Sequence, residues 1–178
     1  MKMKRFFSII ISVVLLASCS TNINNETNEE VNLLDSIKHY EKVLFSNNSN
    51  SINVDDAKKL ADFYEDYAIE IKNDSLAPSF LFKAADINMN MNRPENAIVC
   101  FTTILEKYPN NLNAPSALFL TAFIYDDQLA DYINAEKYYK LFLEKYPDND
   151  FTDDAEISLK NLGKTPEQLI EEFEEMNK

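Results

Sequence analysis

From residue 31 onward, apolar residues recur every three or four positions, the spacing that places them on one face of a helix. In 31–46, VNLLDSIKHYEKVLFS, the face is Leu33, Leu34, Ile37, Tyr40 and Val43 or Leu44. The polar run 47–53 predicts a loop. Asn53 is placed to cap a second helix, with Asp55 and Asp56 favourable in its first turn. That helix carries Ala57, Leu60, Ala61, Tyr64, Tyr67, Ala68 and Ile71 at the same steps, and Asn73-Asp74-Ser75 ends it.

Further along, the pattern repeats. Residues 94–109 read PENAIVCFTTILEKYP and residues 132–147 read YINAEKYYKLFLEKYP; shifted by 38, seven of the sixteen positions are identical. Upstream of each lies another helix, PSFLFKAADINMNM at 78–91 and PSALFLTAFIY at 115–125, related by a shift of 37. A third copy opens at Asp153-Asp154-Ala155. Pro109 and Pro147 stop the helices before them, since proline lacks the N–H and clashes with the previous turn. Pro78, Pro94, Pro115 and Pro166 suit first helical turns, where that N–H is not needed. Thr165 and Gln168 fit a capping box after a stop at Gly163. Gly163 is the chain's one glycine, and a fold rich in tight hairpin turns would need more. The expectation is an all-α fold of about four hairpins, at 31–72, 78–109, 115–147 and 152–176. The last is short and glutamate-rich (Glu167, Glu171, Glu172, Glu174, Glu175) and reads as a polar terminal cap, or alternatively as an acidic docking helix.

A helix-hairpin repeat of this length is the mark of a tetratricopeptide solenoid. The run "Ala-Pro-Ser-Ala-Leu-Phe-Leu", followed by Ala135, Tyr139 and the Tyr-Pro stop, resembles the tetratricopeptide repeats of bacterial envelope lipoproteins and periplasmic proteins. Such proteins include the lipoprotein of the β-barrel assembly machine and the Tol-associated cell-division coordinator. The resemblance covers about residues 54–162 and implies a right-handed solenoid that binds protein. It implies packing roles for Ala97, Phe101, Pro109, Ala117, Leu120, Ile124, Ala135, Tyr139 and Pro147. It also gives candidate groove positions on the first helices: Leu81, Ala85 and Asn88, then Leu118, Ala122 and Tyr125. Ala84 or Thr121 stands where the family's small position usually holds glycine, and Lys83 where leucine is usual.

The N-terminus carries a different signal. Lys2, Lys4 and Arg5 precede an eleven-residue apolar run, 6–16, too short to span a bilayer. Leu16-Ala17-Ser18-Cys19 resembles the lipobox of bacterial lipoproteins. The resemblance implies a signal peptide at 1–18, cleavage before Cys19, and diacylglycerol on its sulfur, the only non-protein group expected. Residues 19–30, polar except for Ile23 and the cysteine, then read as a flexible linker ahead of a repeat domain at 31–178. By resemblance to the sorting signals of such lipoproteins, Ser20 after the cysteine implies the outer membrane, and the lack of an acidic cluster directly after Cys19 implies the side facing the periplasm.

Charge narrows the partners. The formal net charge is −13, and losing Lys2, Lys4 and Arg5 with the signal leaves 14 basic against 30 acidic residues, −16. Such a surface repels phosphate backbones, so nucleic acid is not expected. No catalytic or metal constellation stands out. His39 is the only histidine, and Cys100 the only thiol besides Cys19. The acidic pairs Asp55/Asp56, Asp126/Asp127 and Asp153/Asp154 sit at helix starts or turns. No cofactor, small-molecule substrate or enzymatic activity is expected. The reading is a membrane-anchored scaffold for an envelope protein or peptide, or alternatively an accessory part of an outer-membrane assembly or transport machine.

Overall fold

The computed structural model describes residues 18–45, 53–71 and 74–176, and within helices it leaves the side chains of 18–27, 29 and 176 undescribed. Among the described residues, eight α-helices and one π-helical turn follow one another, with no strand. They are α1 (Ser18–Phe45), α2 (Val54–Glu70), α3 (Ala77–Asn90), α4 (Pro94–Lys107), α5 (Ala114–Phe123), α6 (Tyr132–Lys145), α7 (Thr152–Asn161) and α8 (Pro166–Met176). From α1 to α7, each packs mainly on its neighbours in the chain, so the core grows hairpin by hairpin.

Local chemistry sets the helix ends. Asn53 Oδ1 accepts the Asp55 and Asp56 N–H groups at 2.9 and 3.2 Å and so opens α2. The capping box of α8 is formed reciprocally: Thr165 N–H donates to Gln168 Oε1 (2.9 Å) and Gln168 N–H to Thr165 Oγ1 (3.3 Å). The two Tyr-Pro loops are built alike. Asn111 N–H donates to the Tyr108 carbonyl at 2.9 Å, and its side chain accepts from Asn113 N–H. Thirty-eight residues later, Asn149 bonds Tyr146 at 3.2 Å and accepts from Phe151 N–H. The doubled LEKYP thus lies in like surroundings.

The one-residue difference between the two shifts, 37 and 38, has a structural cause. Asn92 (φ 56°) and Ala130 (φ 49°) are equivalent left-handed residues between the helices of their hairpins, 38 apart. The extra residue therefore lies between Pro115 and Ala130. There the backbone makes the π-helical turn Ile124–Gln128, where Leu129 N–H reaches back five residues to the Ile124 carbonyl at 3.1 Å. Gln128 then donates to the Met89 carbonyl at 3.2 Å, tying the wider turn to α3.

Two clusters make the core. The larger joins α1–α4 with Ala114, Ala117 and Ile124; the smaller joins Leu118, Phe119 and Ala122 with α6 and Ala155 of α7. Leu105 and Leu120 pack against both and make the interior continuous. Phe80 packs on Tyr64 and Tyr67, with ring centroids 5.0 and 4.9 Å apart. Phe119 stacks on Phe151 at 4.8 Å.

Two expectations change. Residues 19–30 are helical as the first part of α1, where a flexible linker was expected. Nothing between 18 and 45 is proline or glycine. A helix nucleated by the packed turns around Ile37 propagates at little cost, and polar composition alone does not stop it. Nor is α8 a polar cap: Leu169, Ile170 and Phe173 are exposed on it, and none of its described side chains is buried. The expected signal peptide, apart from the backbone of Ser18, lies outside the described residues, as does the side chain of Cys19.

Candidate functional site

The first helices of the second and third hairpins bury most of their surface. On α3 the buried side is Ala77, Pro78, Phe80, Leu81, Ala84, Ala85 and Asn88; on α5 it is Ala114, Ala117, Leu118, Phe119, Thr121 and Ala122. What remains outside is a stripe at steps of four, three and four. On α3 it is Ser79, Lys83, Asp86 and Asn90, all exposed. Thirty-seven residues later the same stripe is Ser116, Leu120, Phe123 and Asp127. On α7 the register continues through Asp154, Ser158 and Asn161, exposed or half-buried. This face carries the candidate site.

Its chemistry is mixed. Phe123 is 36% exposed, and Leu120 is half-buried between the two core clusters, so an apolar centre sits on α5. Asp86, Asp127 and Asp154 put carboxylates along the stripe. Lys83 is fixed rather than free: its Nζ lies 2.9 Å from Glu41 Oε1 and 5.3 Å from the Tyr64 ring centre. Tyr64 donates to the same Glu41 oxygen at 2.6 Å. Partial burial works against the Glu41 carboxylate, yet the bonds from Tyr64 and Lys83 outweigh it and hold its pKa below the usual value. These bonds join α1, α2 and α3 at the edge of the face.

The groove positions expected from the sequence lie elsewhere. Leu81, Ala85, Asn88, Leu118 and Ala122 are buried between helices, and only Tyr125 is half-exposed, stacked on Tyr138 at 5.4 Å. They share the helical step of the exposed stripe but sit two residues out of phase with it. The first five therefore hold hairpins together and are closed to a partner. Comparing the two copies within the chain gives only a partial signal for the right phase. Leu81/Leu118 and Ala85/Ala122 keep their character between the two copies and Lys83/Leu120 and Asp86/Phe123 do not, but the open pair Ser79/Ser116 is identical and the buried pairs Phe80/Ala117 and Ala84/Thr121 differ.

The packing positions are placed as follows. Ala97, Phe101, Ala117, Ile124, Ala135 and Tyr139 are buried, Leu120 is half-buried, and Pro109 and Pro147 are exposed in the loops. Burial, with the bond to Asp126 adding to it, pushes the Tyr139 phenol up to about 12. The Cys100 thiol is buried, and burial with the neighbouring Glu65 raises its pKa, the reverse of what activates a nucleophile. His39 is exposed, with its ring edge on Tyr40. Asp55/Asp56 lie at the capped start of α2, Asp126/Asp127 in the π-helical turn, and Asp153/Asp154 in the first turn of α7. Among the described residues, no group of three or more His, Cys, Asp and Glu side chains could hold a metal, and no helix is long and apolar enough to cross a membrane.

Neither a curated protein nor a solved structure matches the chain. Two adjoining segments, residues 80–111 and 116–149, match the tetratricopeptide repeat family, and each takes in most of one hairpin, α3–α4 and then α5–α6. The α3–α4 and α5–α6 hairpins are thus similar to tetratricopeptide repeats, a fold that typically serves protein–protein interaction, and further helices flank them.

Proposed function

We propose that this protein is a lipid-anchored scaffold of the bacterial envelope that receives a segment of another envelope protein on the α3–α5–α7 face. The observation that carries the reading is the exposed stripe. It recurs in register on successive first helices and sets an exposed phenylalanine between polar neighbours. A side chain such as Phe123 supplies apolar area to a partner, while the aspartates around it orient the partner and steer its approach. The anchor is supported by the sequence alone, through the basic, apolar and Leu-Ala-Ser-Cys order of residues 1–19. Two or more acyl chains on Cys19 would hold the protein on the periplasmic face of the outer membrane. The repeats fit a partner in many envelope assemblies, and nothing on the exposed face singles out an outer-membrane assembly machine.

Two readouts test the proposal. Metabolic labelling with a radioactive fatty acid should mark the wild-type protein and leave the Cys19→Ala variant unlabelled. Affinity purification after crosslinking should recover an envelope protein, with recovery falling about tenfold or more when the exposed-position changes Asp86→Lys and Phe123→Ser are combined. Label on Cys19→Ala would remove the anchor from the reading. Undiminished recovery with the double variant would remove the face.

A further inference from the structure

The C-terminal helix offers a second surface, distinct from the α3–α5–α7 face. Leu169, Ile170 and Phe173 are 36, 59 and 65% exposed on α8, and α8 makes none of the broad helix–helix contacts that join the others. Glu167 and Glu174 lie three and four residues from Ile170 and border the apolar strip on one side; Glu172 borders it beside Leu169. Glu172, midway along α8, is held by Lys164 at 2.7 Å, which ties the helix to the preceding turn. Among the described residues, Glu167, Glu171, Glu174 and Glu175 have no cation within ion-pair distance.

From this charge pattern we infer that α8 is a docking helix for a basic amphipathic helix of a partner protein, one with apolar residues at helical spacing flanked by Lys or Arg. A second copy of this chain fits poorly. Pairing two α8 helices would set glutamate borders against each other, on molecules that each carry a net charge of −13. A basic helix instead neutralises both borders while covering the strip. At about 1.5 Å per residue, the eleven residues of α8 present about 16 Å, matched by three turns of a partner helix. Leu169 and Ile170 supply the apolar contact, and the glutamates set orientation and association rate. The inference goes beyond the scaffold reading and does not depend on it.

The test uses the full-length chain and two synthetic amphipathic helices of about fourteen residues, one with leucine and lysine, the other with leucine and glutamate in place of lysine. Fluorescence anisotropy should show the lysine helix binding, more tightly as salt is lowered, and the glutamate helix not binding. Leu169→Ser combined with Ile170→Ser keeps every charge and removes only exposed apolar groups, so the fold survives, as circular dichroism checks. That variant should bind the lysine helix about tenfold more weakly or worse, whereas Phe123→Ala should bind it as the wild type does. Equal binding by the double variant would overturn the proposal in favour of general charge attraction. Loss of binding in Phe123→Ala would move the site to the other face. A wild-type dimer that the double variant dissociates would make a second copy the occupant.

Discussion

At the residue scale, Ala130 marks where the backbone departs from what its side chain prefers. It sits at φ 49°, exposed, between α5 and α6, where its counterpart is Asn92 at φ 56°. Asparagine tolerates this region; for alanine it costs roughly 1–2 kcal/mol. Glycine would remove the strain but return part of the gain, about 0.4–1 kcal/mol, through its freer unfolded chain. Ala130→Gly is therefore expected to stabilise the protein by about 0.5–1 kcal/mol in urea denaturation. An unchanged or lowered midpoint would show that the left-handed turn is not formed there. Gly163 is the converse case: at φ 70°, an added methyl would stand 3.3 Å from the Tyr132 ring, so only glycine fits without strain.

At the element scale, small residues set how closely helices approach. Ala97 and Ala135 are fully buried at equivalent places on α4 and α6. Ala135→Leu adds volume to a closed contact and is expected to cost about 1–3 kcal/mol, measured by chemical denaturation; a cost near zero would place residue 135 at the surface. These elements were legible because proline, tyrosine and alanine recur at fixed offsets, and the Asn53 cap and the Thr165–Gln168 box follow from local chemistry alone. The phase of the open stripe on α3 and α5 was not legible from helical spacing. Leu81 and Lys83 are both compatible with an outward position until the neighbouring hairpins are in place. The N-terminal reach of α1 was missed for another reason: polar residues are compatible with either helix or coil when no breaker interrupts them. The π-helical turn was written in the sequence only as the disagreement between two shifts.

At the scale of the whole molecule, stability rests on continuous packing through α1–α7 with protonated phenols inside it. Burial raises the pKa of Tyr64, Tyr67 and Tyr139; the bond to Glu41 adds to the effect at Tyr64, and nearby Asp74 and Glu30 add to it at Tyr67. A folded pKa above the unfolded value of about 10 means the fold favours the protonated phenol. That stabilisation is complete below about pH 10 and is lost as pH rises through the folded values, about 12 for Tyr139. In an alkaline titration, part of the phenolate absorbance should therefore emerge together with the loss of helical circular dichroism. Full ionisation near pH 10 with helix content intact would show that these rings are not inside.

The central claim is that successive first helices present one continuous face to a partner. It is tested most directly by placing a photo-crosslinking amino acid at single positions in living cells. Phe123 lies on the proposed face, and Val99, exposed on α4, lies off it. Irradiation is expected to give a discrete higher-mass adduct from position 123 and none from position 99. Adducts from 99 with none from 123 would contradict the account.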